Sequence, residues 1–326
     1  MDFISQYGIV LVLVILAVAM SILSPILREG QQLFLTPNNF IQVLLQGSIN
    51  CIIAVGMTYV ITSGGIDLSV GSIVALAGVL AAMAMRNFPQ IGPWGGFIVS
   101  VMVSVLCGFV NGVLITQLNL SPFIATLGTM GIFRGIGMVI SEGRSIYQFD
   151  TAAFRDTFAA RIPLGVGGIE LPIAVLFAAA LAAFFWFMLA QTRLGKYTVA
   201  IGGNEETARV AGIPIVRYKL LLYMLCGLLT GVAAALLMAR LSSGDPTFGG
   251  LFELNAIAAV VMGGTRLSGG QGTIAGTIVG ALIISLVQNA MNIFNVPSYW
   301  QQVIIGGVIV FAVVLDQLRR RQSQHA

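Results

Sequence analysis

Charge is what this sequence has least of. Of its 326 residues, 9% are Asp, Glu, Lys or Arg, against about a quarter in an ordinary soluble domain. Apolar types make up 57% and the mean hydropathy is +0.96. That balance excludes a soluble enzyme, a disordered chain and a disulfide scaffold. Histidine is nearly missing: the one copy is His325, so neither a histidine triad nor a multi-histidine metal site can be built within the chain. Cys51, Cys107 and Cys226 lie in apolar runs without CxxC spacing and read as small buried hydrophobes. Lysine occurs only at Lys196 and Lys219, and neither closes a phosphate loop of the form GxxxxGK[ST]. The pentapeptide Leu267-Ser268-Gly269-Gly270-Gln271 spells an ABC ATPase signature, but without that loop it reads as a glycine-rich turn. The net charge of +4 suits membrane topology rather than nucleic acid.

What the chain has in quantity is apolar sequence. Ten segments stand out: Gly8–Leu27, Phe40–Thr62, Val70–Met85, Trp94–Thr116, Pro122–Ser141, Leu171–Ala190, Leu220–Ala239, Leu254–Gly264, Thr273–Phe294 and Gln302–Leu318. A bilayer-crossing helix needs about 20 residues. The third and eighth segments are shorter and read as broken or re-entrant. The fold class is therefore all-α: a polytopic membrane protein of about ten transmembrane helices in a single domain, residues 1–326. The first segment lacks a basic flank and is too long for a leader's apolar core, so it is expected to stay as a membrane helix. With cytoplasmic N- and C-termini, nine basic residues fall inside and six outside, the bias expected of inner loops.

Two loops are long. In residues 142–170, Thr151–Phe158 forms a short helix capped by Asp150, with Phe154 and Phe158 on one face. That face rests on the membrane or on the other loops, or it docks an external protein. Residues 191–219 form a cytoplasmic segment. There Asn204 is an N-cap, Glu205 and Glu206 occupy the first turn, Ala208 and Arg209 follow, and Gly212 ends the helix before Pro214. A helix this short is unstable alone and must dock on something.

An internal echo links Asn50–Met57 to Asn255–Met262. Each is followed by a GGxxLS segment, at Gly64–Ser69 and Gly263–Ser268. It suggests two weakly related halves, about 40–141 and 220–318. Paired, glycine-interrupted apolar segments point to a transport path. Polarity and these breaks together nominate Asn50, Met57, Asp67, Ser69, Asn111, Phe123, Thr126, Asn255 and Asn289 for that path. Asp67 either caps a helix, pairs with a basic group such as Arg134, or binds a cation or proton as the coupling carboxylate of an ion-driven secondary transporter. Amides and hydroxyls outnumber charges in the spans, which suits a neutral hydroxylated solute.

Gly64-Gly65-Ile66-Asp67-Leu68-Ser69-Val70-Gly71-Ser72 resembles the GIDLSVGS segment of the permease subunits of bacterial ribose-type ABC importers. Leu194–Tyr197 with Gly202–Arg209, Ala239–Ser243 with Asp245-Pro246, and Ala256–Thr265 resemble further segments of that family, in order along the chain. The resemblance implies a type II ABC importer-like permease of the bacterial inner membrane, not an enzyme, without a cofactor of its own. It implies a second permease copy, as a homodimer or with a relative. It also implies a cytoplasmic ATPase with two fused nucleotide-binding domains, where ATP and Mg bind, and a periplasmic sugar-binding protein. The segment Gly203–Gly212 would then be the coupling helix, docked on the ATPase rather than on its own chain. The implied solute is a monosaccharide, a ribose-like pentose first, with a polyol or other non-sugar solute as alternatives.

Overall fold

The computed structural model describes residues 3–27, 30–147, 149–163, 165, 168–297, 299–307 and 310. It is built of helices: α1 (Phe3–Leu27), α2 (Pro37–Thr62), α3 (Val70–Asn87), α4 (Gly92–Thr116), α5 (Pro122–Ser141), α6 (Thr151–Phe158), α7 (Ile173–Gln191), α8 (Arg193–Gly203), α9 (Glu205–Val210), α10 (Ile215–Leu241), α11 (Phe252–Met262) and α12 (Ile274–Ile293). Among the described residues, eight helices are long and apolar enough to cross a membrane, and α11 is a shorter apolar helix. Nine expected segments coincide with helices. The tenth, Gln302–Leu318, lies largely outside the described residues, although 299–307 are helical.

Burial sorts the helices into layers. α2 and α10 form the centre, 78% and 72% buried, whereas α1 is 6% buried and stands on the outside. The most extensive helix pair joins α4 to α10, and its sequence explains why. Gly108 and Gly112 on α4, and Gly227 and Gly231 on α10, each give a GxxxG spacing. A Cβ at Gly108 would overlap the Tyr223 carbonyl oxygen, and one at Gly227 would overlap that of Ser104. At Gly231 it would lie 2.7 Å from the Val101 Cα. Ser100 Oγ then donates to the Gly231 carbonyl oxygen at 2.9 Å. In lipid no hydrophobic drive separates helix from solvent, so such close backbone approach carries the association.

At one end of the bundle lie α8, α9 and the loops following α2 and α11. At the far end, Ile146 and Gly244 form a β-bridge, and a small antiparallel hairpin pairs Arg161–Pro163 with Glu170–Pro172. The sequence pattern did not foresee this hairpin. α6 does form over the expected residues, and Asp150 accepts the Ala153 N–H at its start. Phe154 and Phe158 are buried. Phe158 stacks on Phe97 and meets Trp94 edge-on, each at 5.0 Å between centroids. That face is therefore satisfied within the chain, not left for an external protein.

Candidate functional site

Coupling segment. Asn204 caps α9 by accepting the Thr207 N–H at 2.9 Å, and Gly212 takes φ +81° just past its end. The helix does dock on its own chain, contrary to the expectation that it would rest on a partner alone. Ala208 packs with Ile201 of α8 and Ile215 of α10, and Lys219 Nζ meets Glu205 Oε2 at 2.5 Å. Its outward face exposes Glu206, Arg209 and Val210, with Val210 83% exposed. Glu205 is thus an internal tether, while among the described residues Glu206 and Arg209 pair only with each other and, for Arg209, loosely with Glu205 at 3.7 Å.

Asp67 cluster. The structure gathers four nominated residues into one buried network. Asp67 accepts from the Ser69 N–H at 2.9 Å and the Ser69 hydroxyl at 2.6 Å, capping the start of α3. Asn111 Nδ2 donates to Ser69 Oγ at 2.8 Å and lies 3.4 Å from Asp67 Oδ1. Thr129 donates to Asn111 Oδ1 at 2.7 Å, and Thr126 reaches the Ile66 carbonyl at 3.4 Å. Asp67, Ser69, Asn111 and Thr126 are all fully buried, so the network ties α3, α4 and α5 together. Arg134 is not the partner of Asp67. It donates to the carbonyl oxygens of Pro246 and Phe248, at 2.8 and 2.6 Å, strapping the α10–α11 connector to α5. Beside that strap, burial would raise the Asp245 carboxyl, but hydrogen bonds from Ser145 and Thr247 and the Arg134 charge outweigh it and hold it below the usual range. Asp67→Ala is expected to cost roughly 1–3 kcal/mol, because it leaves buried donors of Ser69 and Asn111 unpaired. A detergent melt checks this, with Asp67→Asn losing less.

Amide cavity. Asn50 and Asn255 come together in a cavity of about 290 Å³ between α2, α10, α11, α12 and residues 301–305. Gln46 and Gln288 also line it and bond to each other at 2.8 Å, and Arg240 stands at its rim. Asn255 Oδ1 is buried without a hydrogen-bond partner, and Asn50 makes no side-chain hydrogen bond among the described residues. Leu251, beside the cavity, takes φ +66°, a conformation that costs a bulky side chain energy and collects at functional sites. The remaining nominated residues lie elsewhere. Asn289 exchanges two amide hydrogen bonds with Asn39, at 2.7 and 3.1 Å. Met57 is wholly buried in the core, and Phe123 is exposed at the start of α5. Sequence reasoning missed Gln46 and Arg240 as cavity residues. The glutamine's spacing of four from Asn50 was the available signal.

The family model for the branched-chain amino acid transport system permease component matches residues 39–313. The chain belongs to this permease family. A ribose import permease of Bacillus subtilis (strain 168) is 41% identical over 96% of this chain and 92% of its own length. A D-allose transport system permease of Escherichia coli (strain K12) is 38% identical over 96% and 92%. An L-arabinose ABC transporter permease of Azospirillum brasilense is 38% identical over 98% and 90%. The permease is thus of the sugar-importing ABC type, with the all-α, multi-pass architecture described above.

Proposed function

We propose that this permease imports a ribose-like pentose, delivered by a periplasmic binding protein and driven by a cytoplasmic ATPase that holds ATP and Mg. The observation that carries the reading is the near-full-length similarity to a ribose import permease. The outward face of α9 supports an ATPase dock, since among the described residues Glu206 and Arg209 pair with little beyond each other and Val210 is exposed. The amide cavity supports a hydroxylated, uncharged solute: amides offer both donors and acceptors, and among the described residues no carboxylate lines it. In this reading the chain pairs with a second copy, both termini are cytoplasmic, and residues 191–219 lie inside. The halves 40–141 and 220–318 contribute corresponding helix pairs around the path. An ion-driven mechanism through Asp67 gains no support, because that carboxylate is enclosed and its hydrogen bonds serve the start of α3.

The test is uptake into liposomes holding the permease and the ATPase, with binding protein outside. ATP-dependent accumulation of labelled ribose ahead of allose and arabinose is expected. Uptake that follows an ion gradient and ignores ATP would overturn the reading. Asn50→Ala and Asn255→Ala should each lower the maximal uptake rate roughly three- to tenfold at unchanged permease level, the scale of one or two hydrogen bonds to the passing solute.

A further inference from the structure

The glycine-rich turn at Leu267–Gln271 places its two glycines at a junction. α2 and α11 end alike. The N–H groups of Ser63, Gly64 and Gly65 bond back to Tyr59, Ile61 and Val60, and those of Gly263, Gly264 and Thr265 to Ala259, Val261 and Val260. Gly64 and Gly264 both take positive φ, +81° and +88°. This geometry pairs Gly64 with Gly264, one position from the pairing that the GGxxLS spelling suggests. The α11 side then carries extra residues, and these reach across to α2. Gly270 N–H donates to the Thr62 carbonyl oxygen at 2.9 Å. Gly202, at the end of α8, presses on the same carbonyl so closely that a Cβ there would overlap it. A Cβ on Gly269 would lie 2.7 Å from the Gly202 carbonyl oxygen and 2.9 Å from Gly64 N. One on Gly270 would lie 2.9 Å from the Gly203 Cα.

Three backbones thus meet with no side chain between them: the end of α2, the end of α8 and the turn before α12. α8 leads directly into α9. α2 carries Asn50, and α11 and α12, which flank the turn, carry Asn255 and Gln288. We infer that Gly202 and the Gly269–Gly270 turn are positioning residues of the transport cycle, passing displacement of α9 directly to the helices that line the amide cavity. Side chains at such a junction would yield by changing rotamer, whereas backbone in contact with backbone moves together. The inference rests on the proposed ATPase dock at α9.

The readout is sugar accumulated per ATP hydrolysed, in liposomes with permease, ATPase and binding protein, normalised to the assembled complex. In the fraction that assembles, Gly202→Ala is expected to keep the ATPase bound and hydrolysing while the ratio falls at least about tenfold. Gly78→Ala, on α3 with nothing within 4 Å of the added Cβ, leaves the ratio unchanged. Should Gly202→Ala fail to assemble, Thr265→Val decides. It adds no bulk but removes the acceptor of the Thr273 N–H, a 3.2 Å bond at the base of the same turn, and should lower the ratio about threefold. A wild-type ratio in Gly202→Ala, or in Thr265→Val where the first does not assemble, overturns the inference. If the wild-type permease itself showed no ATP-linked uptake, the proposed function would fall first, and this inference with it.

Discussion

Alanine at Gly227 is expected to cut the folded permease recovered in mild detergent about tenfold, while alanine at Gly128 leaves recovery unchanged. Both are glycines within long helices, so helix propensity favours alanine at both. They differ in what the new methyl group meets. At Gly227 it overlaps the Ser104 carbonyl oxygen and approaches the Val105 Cα, whereas at Gly128 nothing lies within 4 Å. Backbone cannot swing aside as a side chain can, so α4 and α10 must separate. Separation also breaks the Ser100–Gly231 hydrogen bond and loosens contacts along the helix pair that anchors the centre. Overpacking of this kind costs about 1–3 kcal/mol or more, and 1.4 kcal/mol is already a factor of ten in an equilibrium. Size-exclusion chromatography of solubilised membranes gives the measurement. A monodisperse Gly227→Ala peak of wild-type height would show that α4 and α10 do not pack through their glycines.

Reversing one charge on α9 should have the second large effect, and reversing its partner should undo it. Glu205→Lys places two ammonium groups together, because Lys219 Nζ sits 2.5 Å from Glu205 Oε2. The tether from α9 to α10 then becomes a repulsion, and ATP-driven uptake is expected to fall about tenfold with the permease still inserted. Glu205→Lys combined with Lys219→Glu restores the pair and most of the uptake. The pair itself is partly exposed and worth only about 1 kcal/mol or less. Its consequence comes from leverage, since α9 has just six residues and this pair adds to the Ala208 packing in fixing its angle. Glu206→Lys differs in kind. Among the described residues Glu206 pairs only with Arg209, at 3.4 Å, so under the proposed ATPase dock its loss reports on that contact, and no second change within this chain should rescue it. Equal uptake by Glu205→Lys and wild type would refute the tether.

The helices were legible because lipid allows few alternatives. Runs of about 20 apolar residues leave a helix as the way to satisfy the backbone, and the caps at Asp150, Asn204 and Gly212 were spelled by residue type. Partners were not legible. Asp67 and Arg134 looked like a candidate pair, but local geometry gives Asp67 the Ser69 N–H two residues on, and Arg134 finds carbonyls more than 100 residues away. The self-docking of α9 was hidden for a similar reason: Ala208, Ile201 and Ile215 are ordinary residues whose contact depends on how two turns fold back. Of the nominated path residues, Asn50 and Asn255 share a cavity, while Asp67, Ser69, Asn111 and Thr126 share a different cluster. Polarity selects such residues without saying which face they share. The GxxxG spacings at Gly108 and Gly227 were readable and locate the most extensive helix pair.

The amide–amide hydrogen bonds between α2 and α12 bear on how the protein is made. Asn39 and Asn289 are 250 residues apart, and Gln46 and Gln288 are 242 apart. During synthesis α2 leaves the ribosome long before α12 exists, and its amides enter the membrane without their mates. The central helix of the finished protein is therefore an unsatisfied one for most of its biogenesis. Either the insertion machinery shelters it or water follows it in, until the arrival of α12 closes the bundle. Chains that stop short of α12 would leave those amides without these partners.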